Sequence, residues 1–438
     1  MPFIGDLASG SSDDEPDTLG AQTPSKHKME TRWGGFGDVY FVRIHPNSHN
    51  FQGVFGPLLS PEGPFALKKL RGGSNNEQNE KEFKKEEEML TRFDGTVHPH
   101  IVTILMTYKH GNRYCFLFPR AECDLIDYFE QNPSPKNDLK TARWLAKQCL
   151  HLTEAVHLIH NPPKQDSLKP DKRKYGRHGD IKAENILLFK SNSNEYDLVL
   201  SDFGLGSMHH DWSKSNIPNK DISATPEFRP PECEMEGGCI SRAFDIWTLG
   251  CLFLDLLTWF LGGEELRLQF QKKRTTPYIR GPDTPLYFEV VKTKDERHGF
   301  IVKEQVKDWF AEMHRHSQCT SFVHEFLDLI EKKMLIVESQ SEKRARTGEL
   351  LKFLNSFHSK CNQPKSEDYC LTPRPNSSRS TIPPIAVEGS LSEITKERIT
   401  KSKTHLRKFH GPTQRAEQIW EDGDELLENL QIRPRSNA

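Results

Sequence analysis

Residues 175–189 read "YGRHGDIKAENILLF". An acid, Asp180, stands two residues before a base, Lys182, and five before an amide, Asn185, and an apolar, strand-like run follows. Each of the three has work to do if a phosphoryl group is transferred from ATP. Asp180 can accept a hydrogen bond from a hydroxyl nucleophile and orient it. Lys182 can neutralise the transferring group, and Asn185 offers a side-chain oxygen to magnesium. The spacing H-x-D-x-K-x-x-N places all three in one loop.

Working outward, four more pieces fit the same chemistry. Downstream, "LSDFGLGS" supplies Asp202 to chelate the magnesium bridging the β and γ phosphates, and Gly204 allows the turn that follows. Upstream, "FALKKL" carries Lys68 on a strand-like run, where it can pair with the α and β phosphates if a carboxylate holds it. Glu86, in "FKKEEEMLTRF", is the carboxylate that faces inward if Leu90 and Phe93 mark the buried stripe of a helix. Near the start, "RWGGFGDVY" sets Gly34, Gly37 and Val39 at the spacing of a glycine-rich loop, where backbone N–H groups can approach phosphate oxygens without a Cβ in the way. Arg32 occupies the place of that pattern's first glycine. Finally, "SATPEFRPPE" at 223–232 precedes "FDIWTLGC". Glu232 is expected to pair with Arg344, and Asp245 to cap the backbone of the 180 loop. Taken singly, each residue reads as a solvated charge or an ordinary turn; their order and spacing carry the inference.

Composition limits the alternatives. A chain of 438 residues with 35% hydrophobic and 28% charged residues suits a soluble protein of two lobes with unstructured sequence attached. A formal net charge of −2 gives no general drive toward nucleic acid or an anionic membrane, and neither is expected as a partner. The nine cysteines form no CxxC pair, which fits reduced thiols in the cytosol or nucleus. The most apolar stretch, 245–263, is interrupted by Asp255 and reads as a buried helix rather than a membrane span.

Pattern divides the chain. Residues 1–28 are expected to be disordered. Strands are expected at 38–44, 64–70, 101–108 and 113–119, with a charged helix at about 78–94 whose apolar stripe is Phe83, Leu90 and Phe93. Ala142, Leu145, Ala146, Cys149, Leu152, Ala155, Val156 and Ile159 recur with the helical period over 139–160. Residues 161–175 read as an exposed insertion, and the last helix falls at about 347–358. Residues 359–438 are expected to be largely disordered. Within them Ile419, Trp420, Leu426, Leu427 and Leu430 could line a short helix, so the tail is either solvated or docks on the domain or a partner.

These motifs resemble the eukaryotic protein kinases over about residues 29–358, with "HPHIV", "FLFPRAECDL" and "DIWTLGCLFLDLLTW" similar to kinase domains of filamentous ascomycete fungi. The resemblance implies an α+β bilobal fold, with a small antiparallel N-lobe (29–120) and a mainly helical C-lobe (121–358). It implies ATP and Mg2+ in the cleft, with Ala66 beside Lys68 and with Leu117, Phe118 and Ala121 at the hinge. It implies transfer to protein Ser/Thr hydroxyls rather than Tyr, because Lys182 follows Asp180 by two positions, and Thr225 matches the threonine that supports the loop. Gly179 departs from the family by replacing the arginine before the catalytic acid, which removes the charge partner of an activation-loop phosphate. "PFIGDLASG" at 2–10 resembles the strand and first glycine that normally precede the glycine loop, which makes 11–32 either an insertion in the first hairpin or an artefact of the gene sequence. Two other readings compete: a scaffold binding nucleotide poorly, against which stand Lys68, Asp180, Asn185 and Asp202 together; and a small-molecule kinase, against which stands the "TPEFRPPE" segment that cradles a peptide in protein kinases.

Overall fold

The computed structural model describes residues 31–33, 37–51, 65–70, 76–93, 98–111, 113–162, 175–191, 194–204, 207–209, 217–218, 227–278, 283–292, 297–392 and 395–396. The expectations for 1–28, for a strand at 2–10, for Gly34 and Thr225, for most of the 161–175 insertion and for a helix near 419–430 fall outside these residues.

The chain forms two compact units, one of residues 1–125 with 186–204, the other of 126–185 with 205–438. The first is built on a five-stranded antiparallel sheet. Its strands are β1 (Thr31–Trp33), β2 (Gly37–Val42), β3 (Phe65–Leu70), β4 (Met106–His110) and β5 (Arg113–Pro119), in the spatial order β1-β2-β3-β5-β4. The strand partnering β2 is thus Thr31–Trp33, with Arg32 opposite Val39. Alternation of side chains across the sheet separates two faces. One face carries Ile44, Phe65, Leu67, Cys115 and Leu117, packed with Tyr40, Val42 and Met106 into a core cluster. The other meets helix α1 (Asn76–Arg92), whose Phe83 stacks on Tyr114 at 4.5 Å and lies 4.9 Å from Phe116. The buried positions Phe83, Glu86, Leu90 and Phe93 recur at three- and four-residue steps, so the helical period carries a carboxylate inward along with the apolar groups.

Two expectations change here. The apolar run 101–108 becomes a strand only from Met106. Ile101 is diverted into a parallel bridge with Leu200, and the Val102 N–H donates to the Leu200 carbonyl at 2.9 Å. The lobe boundary expected at 120–121 is not a single cut in the chain. Strand β6 (Cys123–Asp124) pairs with β7 (Ile186–Lys190), which pairs with β8 (Tyr196–Leu200), and these ladders tie 186–204 to the first unit.

The second unit is mainly helical. Helix α2 (Leu139–His160) matches its expected bounds, and its N-terminus is fixed by the Asp138 carboxylate, which accepts from the Thr141 N–H at 2.8 Å. Helix α3 (Ala243–Arg274) contains the most apolar stretch. It is long and apolar enough to cross a membrane by length and composition, yet its apolar window is entirely buried within the protein. It bends at Gly262–Gly263. Gly263 sits at φ +74°, and a Cβ there would meet the Pro133 carbonyl oxygen at 2.0 Å, so only glycine fits this bend. Asp255, on the buried face, accepts from the Tyr287 hydroxyl at 2.8 Å.

Beyond α3 come β9 (Phe288–Lys292), β10 (His298–Val302), α4 (Glu304–Arg315), α5 (Ser321–Leu329) and α6 (Thr347–Cys361). The region expected to be a largely disordered tail is folded as far as residue 392. Helix α7 (Ser366–Leu371) follows α6, and β11 (Val387–Gly389) adds to the edge of β10. The reason is visible in the backbone: Arg374 N–H donates to the Cys319 carbonyl at 2.7 Å and Asn376 N–H to the His314 carbonyl at 2.8 Å. Arg379 reaches Glu331 at 2.8 Å. Polar composition hid a segment that is stitched down by hydrogen bonds rather than by an apolar stripe.

Candidate active site

In the first unit the sheet face that meets α1 carries Lys68, because Lys68 stands opposite Phe116 on β5 and Val39 on β2. Its ammonium donates to Glu86 Oε1 at 2.7 Å and to Asp202 Oδ1 at 2.9 Å. Burial by itself would lower the Lys68 pKa, but Asp202 and Glu86 together raise it above the ordinary lysine value, so the side chain stays charged. Burial pushes the Glu86 carboxyl up, against the pull of Lys68. Asp202 is held at φ +61°, a region that non-glycine residues seldom occupy, and Oδ1 also accepts from the Gly204 N–H at 3.3 Å. Strain of this kind persists where the surroundings fix it and is concentrated at functional sites.

Ala66, opposite Phe118, lies on the same face as Lys68, two residues away. Leu117 does not. Its side chain is fully buried in the core cluster of the opposite face, and its carbonyl accepts from the Leu105 N–H at 2.8 Å. The pleat sends neighbours to opposite sides, so within the expected hinge the Leu117 side chain points into the core and Phe118, half-buried, lies on the Lys68 face. Gly37 opens β2 opposite Leu70, and Ala121 is half-buried just beyond β5.

In the second unit the loop from His178 to Asn185 is assembled around two centres. Asn185 Nδ2 donates to the Asp180 carbonyl at 2.8 Å and to Asp180 Oδ2 at 2.9 Å, and Lys182 Nζ lies 3.1 Å from Oδ2. Acid, base and amide therefore meet at one carboxylate, as the spacing predicted. Beneath them is Asp245, fully buried in the first turn of α3. Its carboxylate accepts from the His178 N–H at 2.9 Å, the Gly179 N–H at 2.9 Å and the His160 ring at 2.8 Å. Burial pushes the Asp245 carboxyl up, yet the His160 hydrogen bond, the nearby imidazoles and the Gly179 donor hold it below the usual aspartate range. Burial lowers the His160 pKa, against the pull of Asp245.

Gly179 lies at φ +83°. A residue without Cβ adopts that conformation at no steric cost, so the glycine has a backbone reason to be there.

Glu232 and Arg344 meet as expected, in a two-pronged pair at 2.6 and 2.8 Å, with the guanidinium 4.9 Å from the Trp247 ring centre. Burial would lower Arg344, but Glu232 raises it. Two features escaped the sequence. His160 ends an amphipathic helix and looks like any other polar residue there; only its fold partner, 85 positions away, gives it a role. The Arg229–Glu234 ion pair at 2.8 Å, both residues buried, had no spacing signal either.

In the first unit Asp202 is a hard oxygen donor of the kind magnesium takes and a charged, carboxylate-held lysine suits phosphate; in the second, the Asn185 amide oxygen is a donor of the same kind. The donor chemistry therefore fits Mg-ATP. Comparison with known proteins agrees. The "Protein kinase domain" family matches residues 59–333. The chain is 25% identical over 283 residues to the sporulation protein kinase mde3 of Schizosaccharomyces pombe, covering 61% of this chain and 44% of that protein. It is 22% identical over 244 residues to the serine/threonine-protein kinase SSN3 of Phaeosphaeria nodorum, covering 52% and 49%, and 29% identical over 168 residues to the cyclin-dependent kinase C-1 of Arabidopsis thaliana, covering 37% and 30%. It thus spans less than half the length of these relatives. With the two charge centres, the α+β architecture of two units and a family match across most of the chain, this protein belongs to the protein kinase domain family.

Proposed function

We propose that the chain is a Ser/Thr protein kinase that transfers the γ-phosphate of ATP to hydroxyls of a protein substrate, in the cytosol or nucleus. The observation that carries the reading is the Asp180 carboxylate with Lys182 and Asn185 both bound to it. Asp180 orients and accepts the proton of the acceptor hydroxyl. Lys182 stabilises charge on the group in flight, and Lys68, held by Glu86, positions the nucleotide phosphates. Bound through Asp202 and Asn185, magnesium would neutralise the phosphate charge that builds toward the transition state. Positioning and electrostatics supply most of the rate gain.

The test is transfer of radiolabelled γ-phosphate from Mg-ATP to a basic protein. Asp180→Ala is expected to lose about 10²–10⁴-fold in rate, the range for a removed general base. Equal labelling by both proteins would end the assignment. Labelling by neither, with ATP still raising the melting temperature, would favour a nucleotide-binding scaffold.

We further propose that activity does not depend on phosphorylation between Leu205 and Arg229, since Gly179 brings no cation to meet such a phosphate. Phosphatase treatment is expected to leave the rate unchanged. A loss traced to a phosphate in that segment would refute this.

A further inference from the structure

The folded part of the C-terminal region ends on the segment that, in the proposed reaction, cradles the protein substrate. After β11 adds to the edge of β10, the chain crosses to the turn at Glu234–Glu236. The Glu236 N–H donates to the Ser390 carbonyl at 2.7 Å, and the Ser392 N–H donates to the Glu234 carbonyl at 2.8 Å. Between these bonds Leu391, 4% exposed, bridges antiparallel to Met235. Three residues beyond Ser392, the Thr395 hydroxyl donates to Glu234 Oε2 and lies 2.7 Å from the Ser392 hydroxyl. Thr395 and Glu234 are each 1% exposed.

The other oxygen of that carboxylate faces Arg229: Glu234 Oε1 lies 2.8 Å from the guanidinium. Arg229 belongs to "TPEFRPPE", between the buried Phe228 and the Pro230–Pro231 turn. Glu232 of the same segment is pinned separately by Arg344. One buried carboxylate therefore has the tail on one oxygen and the substrate segment on the other. A buried charged acceptor needs its donors, and their removal lets it turn toward others.

We propose that residues 387–392 with Thr395 form a clamp that positions the substrate-binding segment through Glu234 and Arg229, with Thr395 as a positioning residue. The inference rests on the kinase reading above. It makes the C-terminal region part of acceptor binding, with no contact to the reacting atoms. It also predicts which kinetic constant moves: the clamp acts on the acceptor and leaves the nucleotide alone.

The experiment uses the full chain, a mixed histone preparation as acceptor, and Thr395→Val beside Thr395→Ser. Thr395→Val is expected to raise the acceptor KM about tenfold, the loss of one hydrogen bond to a buried charge, with the KM for Mg-ATP unchanged. Thr395→Ser, which keeps the hydroxyl, is expected to restore it. Hydrogen exchange on the same proteins is expected to quicken at residues 229–236 in the valine variant and return to the parent rate in the serine variant. An unchanged acceptor KM, or both KM values moving together with a fall in melting temperature, would overturn the clamp. If the parent chain transfers no phosphate at all, the kinase reading fails, and hydrogen exchange alone decides the clamp: unchanged exchange at 229–236 rejects it, and hydroxyl-dependent protection upholds the structural coupling.

Discussion

Lys68, Glu86 and Asp202 hold one another by charge, whereas the loop from His178 to Asn185 hangs by two backbone hydrogen bonds from one buried carboxylate. The first arrangement joins side chains from a strand, a helix and a loop, with one cation shared between two anions. Nothing in its backbone compels the three to meet. The second is set largely by main-chain geometry: N–H groups at 178 and 179 converge on Asp245, and Asn185 then closes the loop onto Asp180. The triad is thus open to rearrangement when a charged ligand arrives, while the loop is built beforehand.

Breaking the loop's anchor should have the larger effect. Asp245→Ala leaves two buried backbone donors and the His160 ring without their shared acceptor, at about 1–3 kcal/mol for each donor not rescued by water. A fall in melting temperature on the order of 10 °C is expected, read by calorimetry. Asp245→Asn keeps one acceptor and should fall less. The pH dependence has a definite sign. Because the folded-state pKa of Asp245 lies below the usual aspartate value, its stabilisation is complete above that value and is lost as pH falls through the folded-state pKa. The difference in melting temperature between the parent and Asp245→Ala should therefore shrink in acid. A constant difference would mean that the carboxylate's charge contributes little.

The triad predicts a different pattern. Lys68→Met removes the cation that both carboxylates share, and is expected to lower kcat/KM about 10²–10³-fold, the usual cost of one preorganised electrostatic group. It should also leave Glu86, 3% exposed, without the cation that opposes its upward shift. Glu86→Gln in the Lys68→Met background should then recover stability but not activity. Recovery of both would show that Lys68 acts only on the fold, and the contrast between the two arrangements would fail.

The same difference explains what could be read from the residues in order. The loop was legible because its chemistry is local: Asp180, Lys182 and Asn185 lie within one turn of chain, and a local backbone brings them together. The triad was legible only as separate pieces, linked by knowing what ATP requires. Glu86 was found because it shares the helical stripe with Phe83, Leu90 and Phe93. The expected hinge said nothing of facing: the pleat turns Leu117 into the core while Phe118 faces the other way. The folded stretch 366–392 was missed for the opposite reason. Its attachment uses main-chain bonds to Cys319, His314 and Glu234, and main-chain bonds leave no mark on side-chain composition. His160 and Glu234 act through partners far along the chain, where no period reaches.

The smallest expected effect tests whether Gly179 is a backbone requirement or an electrostatic omission. Its φ of +83° costs a residue with a Cβ about 1–2 kcal/mol. Gly179→Ala should therefore cost about 2–3 °C in melting temperature, with catalysis changed little once the protein is folded. Gly179→Arg carries the same backbone cost and adds the charge that other members of the family place there. If the two variants lose the same stability, the glycine is explained by conformation alone. If Gly179→Arg alone also becomes sensitive to phosphatase, the added cation has found a phosphate on the activation segment, and the proposed independence of phosphorylation is traced to one missing charge. Should Gly179→Ala lose nothing, the conformation at 179 is not enforced by Asp245, and the view of the loop as assembled beforehand would lose its simplest support.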